Sequence, residues 1–175
     1  HGRIWRITAK DRPLAKIPDF MAMDTAALCR ELASPVRFHR ETAKRLLSEL
    51  EADEVQVALH GWLASLDPND PDYENQLYEA IGVYEDHELV HPGLLQQLLA
   101  AKHPKLRSYA VRVVGRWADR LADPLAILEE TITDPHPRVR LETIVAASEV
   151  PSARAMGIAA RALEAPMDRF QNHAL

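Results

Sequence analysis

The segment His87-Glu88-Leu89-Val90-His91 combines the residue types of a metal-dependent catalytic site. On a helix, histidines four residues apart face the same side, so both imidazoles can bind one Zn²⁺ while the intervening glutamate acts as a general base. Pro92 argues against this geometry, because the residue before a proline is disfavoured in the helical conformation. No third ligand follows at the spacing of such sites. His87, Glu88 and His91 are therefore weak candidates for a zinc metalloenzyme site.

Other cofactor chemistry finds little support in the residue pattern. A di-iron site built from His-Glu pairs spread over helical repeats needs several pairs, and this sequence contains His87-Glu88 alone. Cys29 is the single cysteine, so it forms no internal disulfide, and its apolar surroundings predict a buried residue. No glycine-rich phosphate loop and no Gly-x-Ser-x-Gly segment is present. We expect no catalytic residue, no metal and no cofactor in this segment.

Four periodic charged residues, Arg40, Glu74, Arg107 and Arg140, recur at steps of 34, 33 and 33 residues. A fixed period of this length is typical of stacked helix pairs, each of which buries its apolar surface against its neighbours. The sequence therefore predicts an all-α fold, an α-solenoid of about four to five helix pairs. Arrays of this kind usually act as surfaces for partners, and so we expect a non-catalytic scaffold.

The chain divides into three parts by composition. Residues 1–8 are β-branched and aromatic, which predicts a strand, interpreted as the closing strand of a preceding sheet domain. Residues 9–22 contain Pro13 and Pro18 without periodicity, which predicts a linker. Residues 23–175 form the helical array, and its last helix reaches Leu175, so we expect a C-terminally truncated array.

Capping residues and prolines set the predicted helix starts. The predicted starts are Asp24, Ser34-Pro35, Asp53, Asp70-Pro71, Leu94, His103-Pro104, Asp123-Pro124, Pro135-His136-Pro137, Pro151-Ser152 and Pro166-Met167. Trp62 and Trp117 fall on apolar stripes at helical spacing, which indicates core residues.

Charge and hydropathy limit the classes of partner. The formal net charge is −5, which argues against a nucleic-acid-binding role, since phosphate contacts need a concentrated basic face. No apolar run approaches the ~20 residues of a membrane span. A free-standing protein-binding or nucleic-acid-binding module stays open as an alternative to a scaffold in a larger protein.

Residues 134–144, from Asp134 through Arg140, resemble a HEAT repeat. In that family an acidic residue and an arginine form a ladder between neighbouring repeats. Only the fourth unit carries both, as Asp134 and Arg140, whereas Arg40 and Arg107 have Ser34 and Ala101 in the acidic place. The resemblance implies that these four residues, Arg40, Arg107, Asp134 and Arg140, form ladder contacts or bind a partner. It also implies an incomplete ladder, with stability resting mainly on packing.

A narrower resemblance covers the whole chain. The strings at residues 2–8, 66–73, 103–117 and 136–140 are similar to the PVC-type haem-binding proteins, also described as membrane-bound dehydrogenase domain proteins. That family joins a β-propeller, a HEAT array and a c-type cytochrome module. The resemblance implies an exported protein of the periplasm or cell envelope, with a c-type haem elsewhere in the polypeptide. Partners would be neighbouring domains and, on the concave face, another protein.

Overall fold

Helices account for all regular secondary structure in the part of the chain that the structure describes. The computed structural model describes residues 4–5, 10–11 and 16–175. The α-helices are α1 (Thr25–Glu31), α2 (Arg37–Ser48), α3 (Ala52–Ala64), α4 (Tyr73–Asp86), α5 (Pro92–Leu99), α6 (Pro104–Arg116), α7 (Pro124–Thr131), α8 (Pro137–Ser148), α9 (Ala153–Ala160) and α10 (Arg169–Ala174). Short 3₁₀ helices cover Phe20–Ala22 and Arg161–Glu164. The strand predicted over residues 1–8 lies almost entirely outside the described residues, as does part of the predicted linker.

Consecutive helices form antiparallel pairs that stack into two layers. The second helices of the pairs, α2, α4, α6, α8 and α10, pack successively on one another, while α1 on α3 and α7 on α9 belong to the first-helix layer. Each pair is also packed internally from α1–α2 to α7–α8. This arrangement confirms the predicted all-α solenoid of stacked helix pairs.

The hydrophobic core runs continuously between the two layers, from Phe20 to Ala162. Trp62 and Trp117, which were predicted to be core residues, are 7% and 1% exposed. Cys29 is fully buried, and this burial raises the pKa of its thiol to about 11. Each large apolar side chain removed from water contributes about 1.5–3 kcal/mol, so stacking stabilises pairs that bury little surface alone.

Three helices begin as the capping residues predict. Asp24, Asp123 and Ser152 each accept a hydrogen bond from the backbone N–H three residues later. These side chains satisfy one of the amide groups that have no partner inside the first turn.

Four other predicted starts, in addition to that of α5, were wrong by one to three residues. Helix α10 begins at Arg169, after the capping residue Asp168, and not at Pro166-Met167. Helix α2 begins at Arg37, because Ser34 Oγ accepts from Val36 N outside the helix. Helix α4 begins at Tyr73, because Asp70 Oδ1 accepts from Asp72 N and closes a separate turn. Asp53 lies inside the first turn of α3, after Glu51 in the capping position. For α2 and α4, a local turn places the acceptor ahead of the helix.

Histidine replaces the usual capping residues at three helix starts. The Nδ1 atoms of His91, His103 and His136 accept from the backbone N–H groups of Leu94, Lys105 and Arg138, at 3.0, 3.2 and 3.2 Å. In every case a proline follows at the first helical position, where no N–H is needed. His91-Pro92 thus starts α5, two residues earlier than predicted.

None of the helices in the described residues combines the length and the apolar character that crossing a membrane requires.

Candidate functional site

The His87–His91 segment lies in the turn between α4 and α5 and does not form one helical face. His87 follows α4 as its C-terminal capping residue, and its Nε2 lies 3.0 Å from the backbone carbonyl oxygen of Leu47 in α2. His91 begins α5, and its Nδ1 is occupied by the Leu94 N–H. The two imidazoles therefore belong to different elements, and each uses one ring nitrogen for a contact within the protein.

Glu88 also makes a structural contact, with Arg120. It has a left-handed backbone conformation with φ of 55°, which reverses the chain after α4. Arg120, from the end of the next helix pair, donates to the Glu88 backbone oxygen at 2.8 Å and to its carboxylate at 3.0 Å. Within the described residues no group of three or more His, Cys, Asp or Glu side chains is arranged to hold a metal ion.

Ser34, His39 and Glu31 come together between α1 and α2 and superficially suggest a hydrolytic triad. Ser34 Oγ and a carboxylate oxygen of Glu31 lie 3.2 and 3.3 Å from the same nitrogen, Nδ1 of His39. In a catalytic triad the serine and the acid contact opposite nitrogens of the imidazole. The acid then orients the ring, and the ring takes the serine proton. This trio lacks that geometry, and it anchors the turn before α2.

Among the periodic charged residues, Arg107 makes the most complete set of contacts. It donates to both carboxylate oxygens of Asp134 in the next helix pair, at 2.8 and 3.0 Å. It also donates to the carbonyl oxygens of Ala101 and Lys102 at its own inter-helix turn, both at 2.9 Å. The side chains of Arg107 and Asp134 are 17% and 12% exposed. Arg107 thus ties its own turn to the turn of the following pair.

Asp134 is held in its ionised form by these donors. Burial alone would raise the pKa of its carboxyl group, but hydrogen bonds from Arg107 and from the His136 backbone N–H lower the pKa below its usual value. The carboxylate pairs with Arg107 of the preceding unit, whereas Arg140 of its own unit contacts the backbone of residue 134 instead. Asp134 and Arg140, which the sequence places in one unit, therefore do not form an ion pair with each other: the Asp134 carboxylate binds Arg107, and Arg140 binds backbone carbonyl oxygens.

Arg40 also has a carboxylate partner, which was not predicted from the sequence. Its Nε donates to Glu79 of α4 at 2.9 Å, and its Nη1 donates to the Ser34 carbonyl oxygen at 2.7 Å. Lys44 approaches the other oxygen of Glu79 at 2.8 Å. Burial opposes the charge of Lys44, but its bonds to Glu79 and Glu41 raise its pKa overall. Glu79 is 7% exposed, and the two cations Arg40 and Lys44 balance its negative charge.

The two remaining periodic residues contact backbone groups of the next pair. Arg140 donates to the carbonyl oxygens of Asp134 and Pro135 at 2.9 and 3.2 Å, and reaches the Pro166 carbonyl oxygen at 3.2 Å. Glu74, which replaces arginine in the second unit, accepts from Lys102 N at 2.9 Å. All four periodic charged residues therefore make a polar contact to the following pair, although the chemical nature of the contact differs from unit to unit.

A polar cluster of α4 and α6 around the buried Glu85 was not predicted from the sequence. Tyr109 Oη donates to Glu85, and Arg116 Nη1 contacts the same carboxylate at 2.6 Å. The rings of Tyr109 and Tyr78 pack edge to face with centroids 4.7 Å apart. Burial and the Glu85 carboxylate raise the pKa of the Tyr109 hydroxyl. An acidic residue among the apolar positions of α4 was the available signal, but it does not identify the partner on the neighbouring helix.

The second-helix layer carries a groove with a cavity volume of about 690 Å³. We call this cavity the second-helix groove. Its walls come from α4 and α6, from the Ser34-Pro35 turn, and from Arg138 at the start of α8. Charged and polar residues line most of its length, and Arg40 with Glu79 forms part of one wall. The groove is a concave polar surface on the layer that contains the periodic charged residues.

Residues 91–174, which extend from His91 through α10, match the family model described as HEAT repeats. No match to the chain was found among curated proteins, and none was found among solved structures. The chain therefore contains a HEAT-repeat segment, in agreement with its stacked helix pairs.

Proposed function

We propose that this array of stacked helix pairs, with its HEAT-repeat segment, is a non-catalytic scaffold and protein-docking module. The observation that carries the proposal is that each of the four periodic charged residues makes a polar contact to the pair that follows it in the chain. Together with the continuous core, these contacts fix each pair relative to the next, so the array holds its two ends at a set distance. The second-helix groove supplies a surface for a partner on the same layer.

The side chains that resemble catalytic residues support this proposal by their contacts. His87, Glu88 and His91 hold the α4–α5 turn through Leu47, Arg120 and Leu94. The His87 and Glu88 contacts link neighbouring pairs, which is the role of a scaffold, and the His91 contact caps α5.

We further propose that the array is part of a larger exported protein, in which it separates a propeller-like dehydrogenase domain from a c-type cytochrome module. The support for this arrangement is the resemblance of residues 2–8, 66–73, 103–117 and 136–140 to the PVC-type haem-binding proteins. In such a protein the neighbouring domains are the first partners of the array, and the haem belongs to the cytochrome module. The localisation would be the periplasm or cell envelope.

A visible absorbance spectrum and a haem stain of the native polypeptide that contains this segment test the larger arrangement. We expect a covalently bound c-type haem. A polypeptide without haem would overturn the proposed parent protein but would leave the docking proposal standing.

Crosslinking mass spectrometry of the same native polypeptide tests docking. Lys105 is exposed and lines the second-helix groove, and Lys102 is exposed in the turn before α6, so we expect crosslinks from them to residues outside the array. Crosslinks confined to residues 16–175 would refute the docking role.

A further inference from the structure

The first-helix layer of the array opens on both sides of α5. Helix α1 packs on α3 and α7 packs on α9, whereas α5 makes little direct contact with α3 or α7. A cavity of about 650 Å³ lies between α5 and α7, and we call it the first-helix groove. The connection from α6 to α7, residues 117–123, is longer than the other connections between pairs and adds Leu121 to its wall. Two helices that are neighbours in the layer thus leave a gap between their outer faces.

The walls of the first-helix groove present side chains at the spacing of a helical face. Pro92, Leu95 and Leu99 line it from α5 at steps of three and four residues, and Ala126 and Ile127 line it from α7. Leu99 and Ile127 are only partly buried, so the groove exposes apolar surface. Stripes at this spacing are the faces with which helices pack on one another. Each wall helix has eight residues and is about 12 Å long, which equals about two turns of a helix lying alongside it.

The charged residues that line the first-helix groove are all acidic, namely Asp123, Glu130 and Asp134. Arg154 and Arg107 pair with the two aspartates, at 3.6 and 2.8 Å. Glu130 is exposed, and its side chain forms neither an ion pair nor a hydrogen bond within residues 16–175. The C-terminal ends of α5 and α7 lie at the same end of the groove as Glu130 and add partial negative charge there. The groove therefore attracts a cation and disfavours an acidic partner.

Helical walls favour a helical occupant. The backbone groups of each wall are bonded within its own helix, so an extended segment would find no sheet edge to pair with. A helix would instead lay an apolar face between α5 and α7, in the way that α1 packs on α3. We propose that the first-helix groove binds an amphipathic helix of a partner protein, with apolar residues against Leu99 and Ile127 and a lysine or arginine paired with Glu130. This surface lies on the opposite layer from the second-helix groove, so the inference goes beyond the proposed docking function.

Fluorescence anisotropy with labelled peptides tests the proposal on the folded chain. The peptides have about 18 residues in an alanine-rich background, which is long enough to form a helix in solution. The basic peptide carries leucines at positions i, i+4 and i+7, with lysines one turn before and one turn after this stripe. The acidic peptide has glutamates in place of the lysines. We expect the basic peptide to bind more tightly than the acidic one, and its binding to weaken at higher salt.

Two variants of the chain test the groove itself. Glu130→Lys should bind the basic peptide about five- to tenfold more weakly and the acidic peptide more tightly, because the charge preference of the groove is reversed. Ala126→Gln places a larger uncharged side chain in the groove and should weaken the binding of both peptides. Asp53→Lys makes a similar change of charge on the exposed surface of α3, outside the groove, and should bind like the wild type.

Thermal unfolding of each variant verifies that the array is folded. Equal binding of the two peptides, unchanged binding by Glu130→Lys, or equally tight binding of a basic peptide with scrambled leucine positions would each overturn the inference. If no peptide binds while Lys105 still crosslinks to residues outside the array, docking at the second-helix groove stands and the helical partner of the first-helix groove is refuted.

Discussion

Replacement of Arg107 by methionine would test whether the periodic charged residues stabilise the stack. Methionine keeps much of the aliphatic stem of arginine but removes all donors. The substitution deletes two hydrogen bonds to Asp134 and one each to the carbonyl oxygens of Ala101 and Lys102. Asp134 would keep only the His136 N–H as a donor within the described residues. A mostly buried carboxylate would thus lose its cation.

The expected loss of stability lies between two limits. Removal of one partner from a fully buried ion pair costs about 3–5 kcal/mol, and an exposed pair contributes about 0–1 kcal/mol. The Arg107 and Asp134 side chains are 17% and 12% exposed, nearer the buried limit but open to some solvent screening. We expect Arg107→Met to lower the free energy of unfolding by about 2–4 kcal/mol. For a chain of this length the melting temperature would fall by about 4–16 °C.

Urea unfolding followed by circular dichroism is the direct measurement. Arg154→Met is the matched control, because Arg154 forms a comparable 2.8 Å ion pair with Glu129 on the exposed surface. We expect no measurable change in the control. The Asp134→Asn variant should lose about 1–2 kcal/mol, and the double variant less than the sum of the two single changes, with a coupling of about 1–2 kcal/mol.

Two outcomes would refute this reasoning. If Arg107→Met unfolds like the wild type and like Arg154→Met, the Arg107–Asp134 contact does not stabilise the array. If the effects of the single variants add without coupling, the two residues act separately. Loss of partner binding with unchanged stability would instead assign Arg107 to the docking surface.

Three more predictions concern single sites. Loss of the capping ring in His136→Ala should cost about 1 kcal/mol in urea unfolding, and His136→Asn should restore most of it. Gly115→Ala should destabilise by about 1–3 kcal/mol, because its Cβ would lie 3.2 Å from Ala146, whereas Gly61→Ala meets no atom within 4 Å and should stabilise by about 0.5–1 kcal/mol. Because the Asp134 pKa is lowered in the folded state, its contribution is present above about pH 4 and is lost as acid titrates the folded carboxylate, so Asp134→Asn should weaken the acid dependence of stability.

Local signals in the sequence predicted the helix pairs better than their exact starts. The period of the charged residues predicted the stack, because a residue in the second helix of each pair returns to the same environment after one pair. Asp24, Asp123 and Ser152 predicted helix starts correctly, since the capping bond depends only on residues three apart. The start predicted at Asp70-Pro71 was wrong, because an aspartate followed by a proline is equally typical of a turn, and Asp70 forms a turn with Asp72 before the helix begins.

Contacts between pairs were the part that a single sequence could not predict. Glu79 lies 39 residues from Arg40, and Arg116 lies 31 residues from Glu85, so each contact depends on the rotation between stacked pairs. The period of the charged residues does not determine the angle by which one helix pair is rotated relative to the next. His136 as a capping residue was missed for a different reason, since histidine is not among the usual capping residues even though its Nδ1 can accept the same bond.

Each polar contact between pairs joins one pair to the next pair in the chain, and this affects how helix pairs can be added to or removed from the array. The inter-pair contacts of Arg40, Glu74, Arg107 and Arg140 each join a pair to the following pair, and none of these contacts spans two pairs. An insertion or deletion of one whole pair would therefore leave the links between the other pairs intact and require a match only at the new junction, while a change of a few residues inside a pair would break one link. The length of the array can thus change in steps of one pair, with adjustment needed only where the new neighbours meet.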